Sequence, residues 1–187
     1  PLLNADVLHA LASMGHGNDL IVCDSNFPAD AVGRQTTYGR ALRIDADAPR
    51  AVRAILSLFP LDTFVDGAAL RMEMVGTPDE IPPVQQEVQR EIDRAEGKHW
   101  PLGSMERFAF YEQAKKSYCV VQTRERRFYG CFLFKMGVGG RLDHAIGLQT
   151  QALSGQDQRV DQARQALLQA ELRLSSLRKV LERRRAE

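Results

Sequence analysis

Apolar positions recur along the first three quarters of the chain in two alternating rhythms. Val7, Leu8, Leu11 and Met14 repeat at helical spacing behind Asn4, whose side chain suits an N-cap, and Gly15 stops the run. Leu20-Ile21-Val22-Cys23 is unbroken apolar sequence between polar turns, the mark of a central strand covered on both faces, and it delivers Asp24 at its end. A second helix is predicted over residues 47–59. Pro49 stands near its first turn, Val52, Ile55, Leu56 and Phe59 share one side, and Pro60 ends it. Leu70, Met72 and Met74 alternate with Arg71, Glu73 and Val75, which predicts a strand with one wet face. Pro82 and Pro83 open a third helix with a buried stripe of Val84, Val88 and Ile92, and residues 107–117 read as a fourth. Two β-rich runs, 118–123 and 131–135, flank the charged loop 124–130 and predict a hairpin or a close strand pair. Helices and strands alternate, so the expected fold class is α/β, a three-layer α/β/α sandwich over residues 1–140.

The tail, residues 141–187, follows a different rule. Ile146, Leu153, Val160, Leu167, Leu174 and Leu181 recur every seven residues, with Ala163, Ala170 and Leu177 at the matching d positions. This predicts a C-terminal coiled-coil helix whose seam, over residues 146–181, needs a partner helix. Gln149 and Gln156 weaken the seam at its start, and Gly139-Gly140 is the expected hinge.

The formal charge of +1 over 187 residues hides a division. The tail carries nine Lys/Arg against six Asp/Glu and the body 16 against 18, which leaves the tail at +3 and the body at −2. Neither value gives the electrostatic footprint of a nucleic-acid binder. No apolar run reaches the roughly 18 residues of a membrane helix. Cys23, Cys119 and Cys131 lie inside apolar runs without CxxC spacing, so buried free thiols and a cytoplasmic location are expected rather than disulfides or a zinc site.

The candidate chemistry lies in two stretches, MGHGNDLIVCDSNFP (residues 14–28) and RFAFYEQAKKSYCVVQTRERRFYGCFLFKMG (residues 107–137). An imidazole ordinarily changes charge near neutral pH, which makes His16 the best-matched proton shuttle in the chain, although a histidine beside glycines also serves simply to end a helix. Asp24, at a strand end, could orient an imidazole or bind hydroxyls, or start a turn toward Pro28. Arg107 offers a forked donor set and Tyr129 a hydroxyl; a solvated cation and simple packing are their bland alternatives. An acid, a base and polar donors of this kind suit general acid–base work on a polyhydroxy substrate with no metal or organic cofactor. Gly15-His16-Gly17 precedes a strand and lacks a third glycine, which excludes a dinucleotide fingerprint. A metal site built from His16, Asp19 and Asp24 lacks a recognised ligand spacing.

Taken together, MGHGNDLIVCDSNFP, RFAFYE and RFYGCFLFKMGV resemble the signatures of the L-fucose mutarotase family, relatives of the D-ribose pyranases, over about residues 3–138. The resemblance implies the sandwich of the ribose pyranase/fucose mutarotase type, no cofactor, and a homo-oligomeric ring, often a decamer, with sites shared between neighbouring subunits. It implies His16 as proton donor and Asp24, Arg107 and Tyr129 as sugar-binding residues for a monosaccharide such as L-fucose. Cys131 stands where the family frequently has Asn, and Ser25-Asn26 where it has Ala-His; a thiol makes weaker hydrogen bonds than an amide. The tail segment ARQALLQAELRLSSLRKVLERRRAE is similar to a small coiled-coil protein of the flagellar export apparatus. A non-catalytic assembly or adaptor protein acting through the coiled coil, and a D-ribose pyranase-type isomerase, are the alternatives to a mutarotase.

Overall fold

The computed structural model describes residues 2–138. The predicted coiled coil, the glycine hinge and the likeness to the flagellar export protein all lie outside the described residues.

A six-stranded sheet carries the fold, with strand order β2-β5-β1-β6-β3-β4. Its strands are β1 (Asp19–Cys23), β2 (Ala41–Arg43), β3 (Ala69–Met72), β4 (Gly103–Met105), β5 (Cys119–Gln122) and β6 (Phe132–Lys135). β6 alone runs against its neighbours β1 and β3. The other pairings, β1 with β5, β2 with β5 and β3 with β4, are parallel. The central strand β1 is buried along its whole length, as its apolar run predicts.

Strand side chains alternate between two cores. Leu20, Val22, Val121, Phe132 and Phe134 point into a layer shared with α1 (Ala5–Ser13), α3 (Ala48–Leu56) and α4 (Pro83–Glu96). Ile21, Cys23, Val120 and Leu133 point to the other face, where Val32 of α2 (Ala29–Gly33) and Phe110 and Ala114 of α5 (Arg107–Lys116) cover them. Helices on both faces of one sheet make the three-layer sandwich. The caps act as the sequence implies: Asn4 Oδ1 accepts the Val7 N–H at 3.1 Å, and Asp47 Oδ1 accepts that of Arg50 at 3.0 Å.

Two expectations fail. β5 and β6 do not form a hairpin, because each pairs with β1, one on either side of it. The charged loop between them therefore crosses over the C-terminal end of β1, and that crossing builds the site described below. The wet face predicted for residues 70–75 is also absent. β3 stops at Met72, and Arg71 keeps only 6% of its surface, with Nη2 donating to the Pro78 carbonyl at 2.9 Å in the loop that leads to α4. The short elements α2, β2 and β4 carry too few residues to show a period.

Candidate functional site

The C-terminal end of β1 delivers Asp24 to the sheet edge at which β3 and β5 also end and β6 begins. This carboxylate is 4% exposed and makes four contacts. Oδ1 accepts the N–H groups of Asn26 (2.9 Å) and Phe27 (3.1 Å), a turn that aims Phe27 back over the sheet. Oδ2 accepts the N–H of Gly130 at 3.1 Å and the thiol of Cys131 at 3.6 Å. Burial, and then the Asp24 charge, push the Cys131 thiol well above its ordinary range, so it stays protonated and donates. The thiol is the weakest of the four donors, and the one that a stronger donor would displace most easily.

The crossing loop is fixed from the other side. Arg127 donates from Nε and Nη2 to Glu125 (2.9 and 2.8 Å) and from Nη1 and Nη2 to Glu87 on α4 (2.8 and 3.0 Å). Glu125 Oε2 also lies 3.4 Å from the Ala48 N–H at the start of α3. Hydrogen bonding to Arg127 outweighs burial and pulls the Glu125 carboxyl down to about 2. At Gly130 the loop has no room for a side chain: a Cβ would sit 2.8 Å from Glu125 Cγ and 3.3 Å from Asp24 Cβ.

Tyr129 precedes that glycine at φ 61°, a left-handed conformation costly for a bulky residue. The buried Gln85 amide holds it there, since Nε2 donates to the Tyr129 carbonyl (3.0 Å) and to the Met72 carbonyl (2.8 Å). Tyr129 Oη accepts the Val75 N–H at 3.2 Å, which leaves its own hydrogen available to a ligand.

Arg107 opens α5 behind Glu106, whose carboxylate accepts the Phe108 and Ala109 N–H groups and is held below its usual range by them. The Arg107 guanidinium lies 5.7 Å from the ring centre of Tyr111, which stacks on Phe27 at 5.2 Å. Asp24, Arg107, Tyr129 and Cys131 thus line one cavity of about 400 Å³, walled by Phe27, Tyr111 and Phe128. That volume suits a small molecule, and aromatic faces beside polar donors suit the two sides of a sugar ring.

His16 lies elsewhere. It sits at the opposite end of β1, whose five residues span about 16 Å at the usual strand rise. Its Nε2 is 3.1 Å from Oδ2 of Asp62, and the edge of Phe64 packs beside it. Asp62 is 1% exposed, and its other oxygen accepts the Phe64 N–H at 3.0 Å. The imidazole itself is about half exposed. Within one chain its carboxylate partner is therefore Asp62 rather than Asp24. Sequence reading missed Asp62, Gln85 and the Glu125–Arg127 pair; Asp62, after Pro60 and two residues before Phe64, carries a turn signal that was there to be read. Asp19 bonds Lys135 and Gln113 instead of joining His16, and no metal-ligating cluster of three or more His, Cys, Asp or Glu exists among the described residues.

A mixed α/β sandwich with a polar, aromatic-walled cavity at one sheet edge defines a class of proteins built to hold a small polar ligand without burying it in a barrel. The sequence profile described as the RbsD / FucU transport protein family matches residues 1–139, and the chain belongs to that family. The fucose mutarotase of Bos taurus is 41% identical over 143 residues, covering 73% of this chain and 90% of its own. A crystal structure of the protein Atu2016 shares 59% identity with a TM-score of 0.73, covering 74% of this chain and 93% of its own. The fucose mutarotase of Streptococcus pneumoniae, solved in complex with L-fucose, is 30% identical with a TM-score of 0.65, covering 73% and 94%.

Proposed function

We propose that the protein is a mutarotase that interconverts the α and β anomers of L-fucose or a related monosaccharide by general acid–base catalysis. The observation that carries this reading is the 400 Å³ cavity that gathers Asp24, Arg107, Tyr129 and Cys131 in a chain similar to named fucose mutarotases. Ring opening removes a proton from the anomeric hydroxyl and delivers one to the ring oxygen; reclosure on the opposite face inverts the anomeric centre. No redox or group transfer takes place, so protonatable side chains and hydroxyl-directed donors suffice. Tyr129 O–H and the Arg107 fork orient the sugar hydroxyls, Asp24 accepts one of them in place of the Cys131 thiol, and the aromatic walls take the apolar ring face.

His16 supplies the proton from a second copy of the chain. Its ring is half exposed and braced by Asp62, yet it stands about a strand length from the cavity of its own chain. Phe128 at the cavity rim and Phe108 beside Arg107 are 74% and 71% exposed, and Phe64 beside His16 is 73% exposed. Apolar groups of this size on two different faces favour a head-to-tail contact, the kind that closes into rings. A decamer is the ring size that the resemblance implies. Three buried free thiols suit a reducing cytoplasm, and no described helix is long and apolar enough to cross a membrane.

Exchange NMR on equilibrated L-fucose tests the proposal. The wild-type chain should accelerate anomer exchange, and His16→Ala should lose on the order of 10²–10⁴ of that rate. Equal exchange by the two proteins at matched concentration would end it.

A further inference from the structure

The peptide unit that joins Tyr129 to Gly130 is gripped at both ends. Asp24 Oδ2 accepts its N–H at 3.1 Å, and Gln85 Nε2 donates to its carbonyl at 3.0 Å. The two groups of a trans peptide point in opposite directions, so Asp24 and Gln85 stand on opposite sides of the loop. The second hydrogen of Gln85 Nε2 goes to the Met72 carbonyl at 2.8 Å, at the end of β3. One amide thus ties together the backbone of two residues that line the sugar cavity, Met72 and Tyr129, although Gln85 is fully buried and does not line that cavity itself.

Position 85 is an unusual place for an amide. Val84, Val88 and Ile92 give α4 an apolar buried stripe, and Gln85 in its first turn is buried with them. Its Oε1 has no hydrogen-bond partner among the described residues, a cost that an apolar side chain of the same length would avoid. The reverse orientation of the amide is worse, because its oxygen would then face two carbonyl oxygens. Packing alone therefore does not account for a glutamine here. What the amide secures is Tyr129, whose φ of 61° persists only where its surroundings over-determine it. Relaxed toward negative φ, the backbone would swing the phenol away from the Val75 N–H, which Oη accepts at 3.2 Å.

We propose that Gln85 is a positioning residue for sugar binding. With Asp24 across the same peptide, it holds Tyr129 in the left-handed conformation and so aims the phenol hydroxyl into the cavity without touching the sugar. α4 supplies a second anchor for the same loop, since Glu87, two residues on, receives Arg127. The kinetic consequence rests on the mutarotase reading, whereas the backbone clamp does not. Tyr129 orients the sugar in that reading and transfers no proton, so loss of the clamp raises KM and leaves kcat nearly unchanged.

Gln85→Met in the full chain tests this, because it keeps the length of the side chain and drops both hydrogen bonds. Exchange NMR over a range of L-fucose concentrations should give a KM raised about three- to tenfold, the scale of one hydrogen bond, with kcat within about twofold of wild type. Tyr129→Phe removes the hydroxyl and should raise KM by itself. In that background Gln85→Met should add less than about twofold to KM, since no hydroxyl is left to aim, while its effect on urea stability persists. A residue that only supported the fold would show no such coupling. Gln85→Glu, the same shape with no amide hydrogens, is the second variant and should raise KM likewise. Hydrogen exchange at the Gly130 amide should quicken in both. An unchanged KM in both variants, KM effects that multiply in the Tyr129→Phe background, or loss of the fold in both would overturn the proposal. Absence of fucose exchange by the wild-type chain would count against the mutarotase reading alone; the Gly130 amide would still decide the clamp, and unchanged protection in Gln85→Met would overturn it.

Discussion

Asp24 Oδ2 accepts the backbone N–H of Gly130 at 3.1 Å, so a residue at the end of β1 anchors a loop 106 positions later in the chain. The same carboxylate fixes Phe27 on one wall of the cavity and places Tyr129 on another. Asp24→Asn replaces one acceptor oxygen with a donor that must oppose at least one of these N–H groups. We expect it to lower anomer exchange by about 10²-fold and to cost about 1–3 kcal/mol of stability, read by exchange NMR and urea denaturation. Wild-type exchange with unaltered stability would contradict this role.

Asp62 holds the imidazole of His16 at 3.1 Å while its other oxygen caps the Phe64 N–H. Asp62→Asn keeps an oxygen for that N–H and removes the charge beside the ring. Exchange should therefore fall about 10–100-fold with the melting temperature little changed, the pattern of a residue that orients a proton donor. A variant as active as wild type would show that Asp62 has no part in the reaction.

Glu125 ties the crossing loop to the start of α3 directly and to α4 through Arg127, and its carboxyl is lowered from 4.5 to about 2. A folded-state pKa below the unfolded one adds stability that is complete above about pH 4.5 and is lost as the pH falls toward 2. Its upper bound is about 3 kcal/mol. Glu125→Gln should be less stable than wild type at pH 7 by up to that amount, and the gap should narrow as the pH drops below 4.5. Urea titrations at several pH values measure it; a gap that holds constant down to pH 3 would assign the loop's stability to other contacts.

Most of the fold was legible because period and caps agree. β1 reads as a buried central strand from four apolar letters, and Asn4 and Asp47 cap the helices they precede. Strand order was not legible. Nothing local distinguishes a hairpin from two strands separated by a third, so the insertion of β1 between β5 and β6 needed coordinates. Arg71 misled for a similar reason: alternation marks it as the wet side of β3, yet it is buried and its guanidinium bonds the Pro78 carbonyl in the loop before α4. Of the expected site, Asp24, Arg107, Tyr129 and Cys131 meet in one cavity; contacts distant in sequence position Asp24, Tyr129 and Cys131, whereas Arg107 is set by its own helix. His16 stands apart because the strand that separates it from Asp24 is extended rather than folded back.

The central claim is that one chain's His16 serves another chain's cavity, and co-expression of two disabled variants tests it most directly. His16→Ala and Arg107→Ala should each be nearly inactive in L-fucose exchange. In oligomers assembled from equal amounts of both, about a quarter of the sites should pair an intact imidazole with an intact cavity and recover that share of wild-type activity. Mixed oligomers no more active than the separate variants would contradict the shared site.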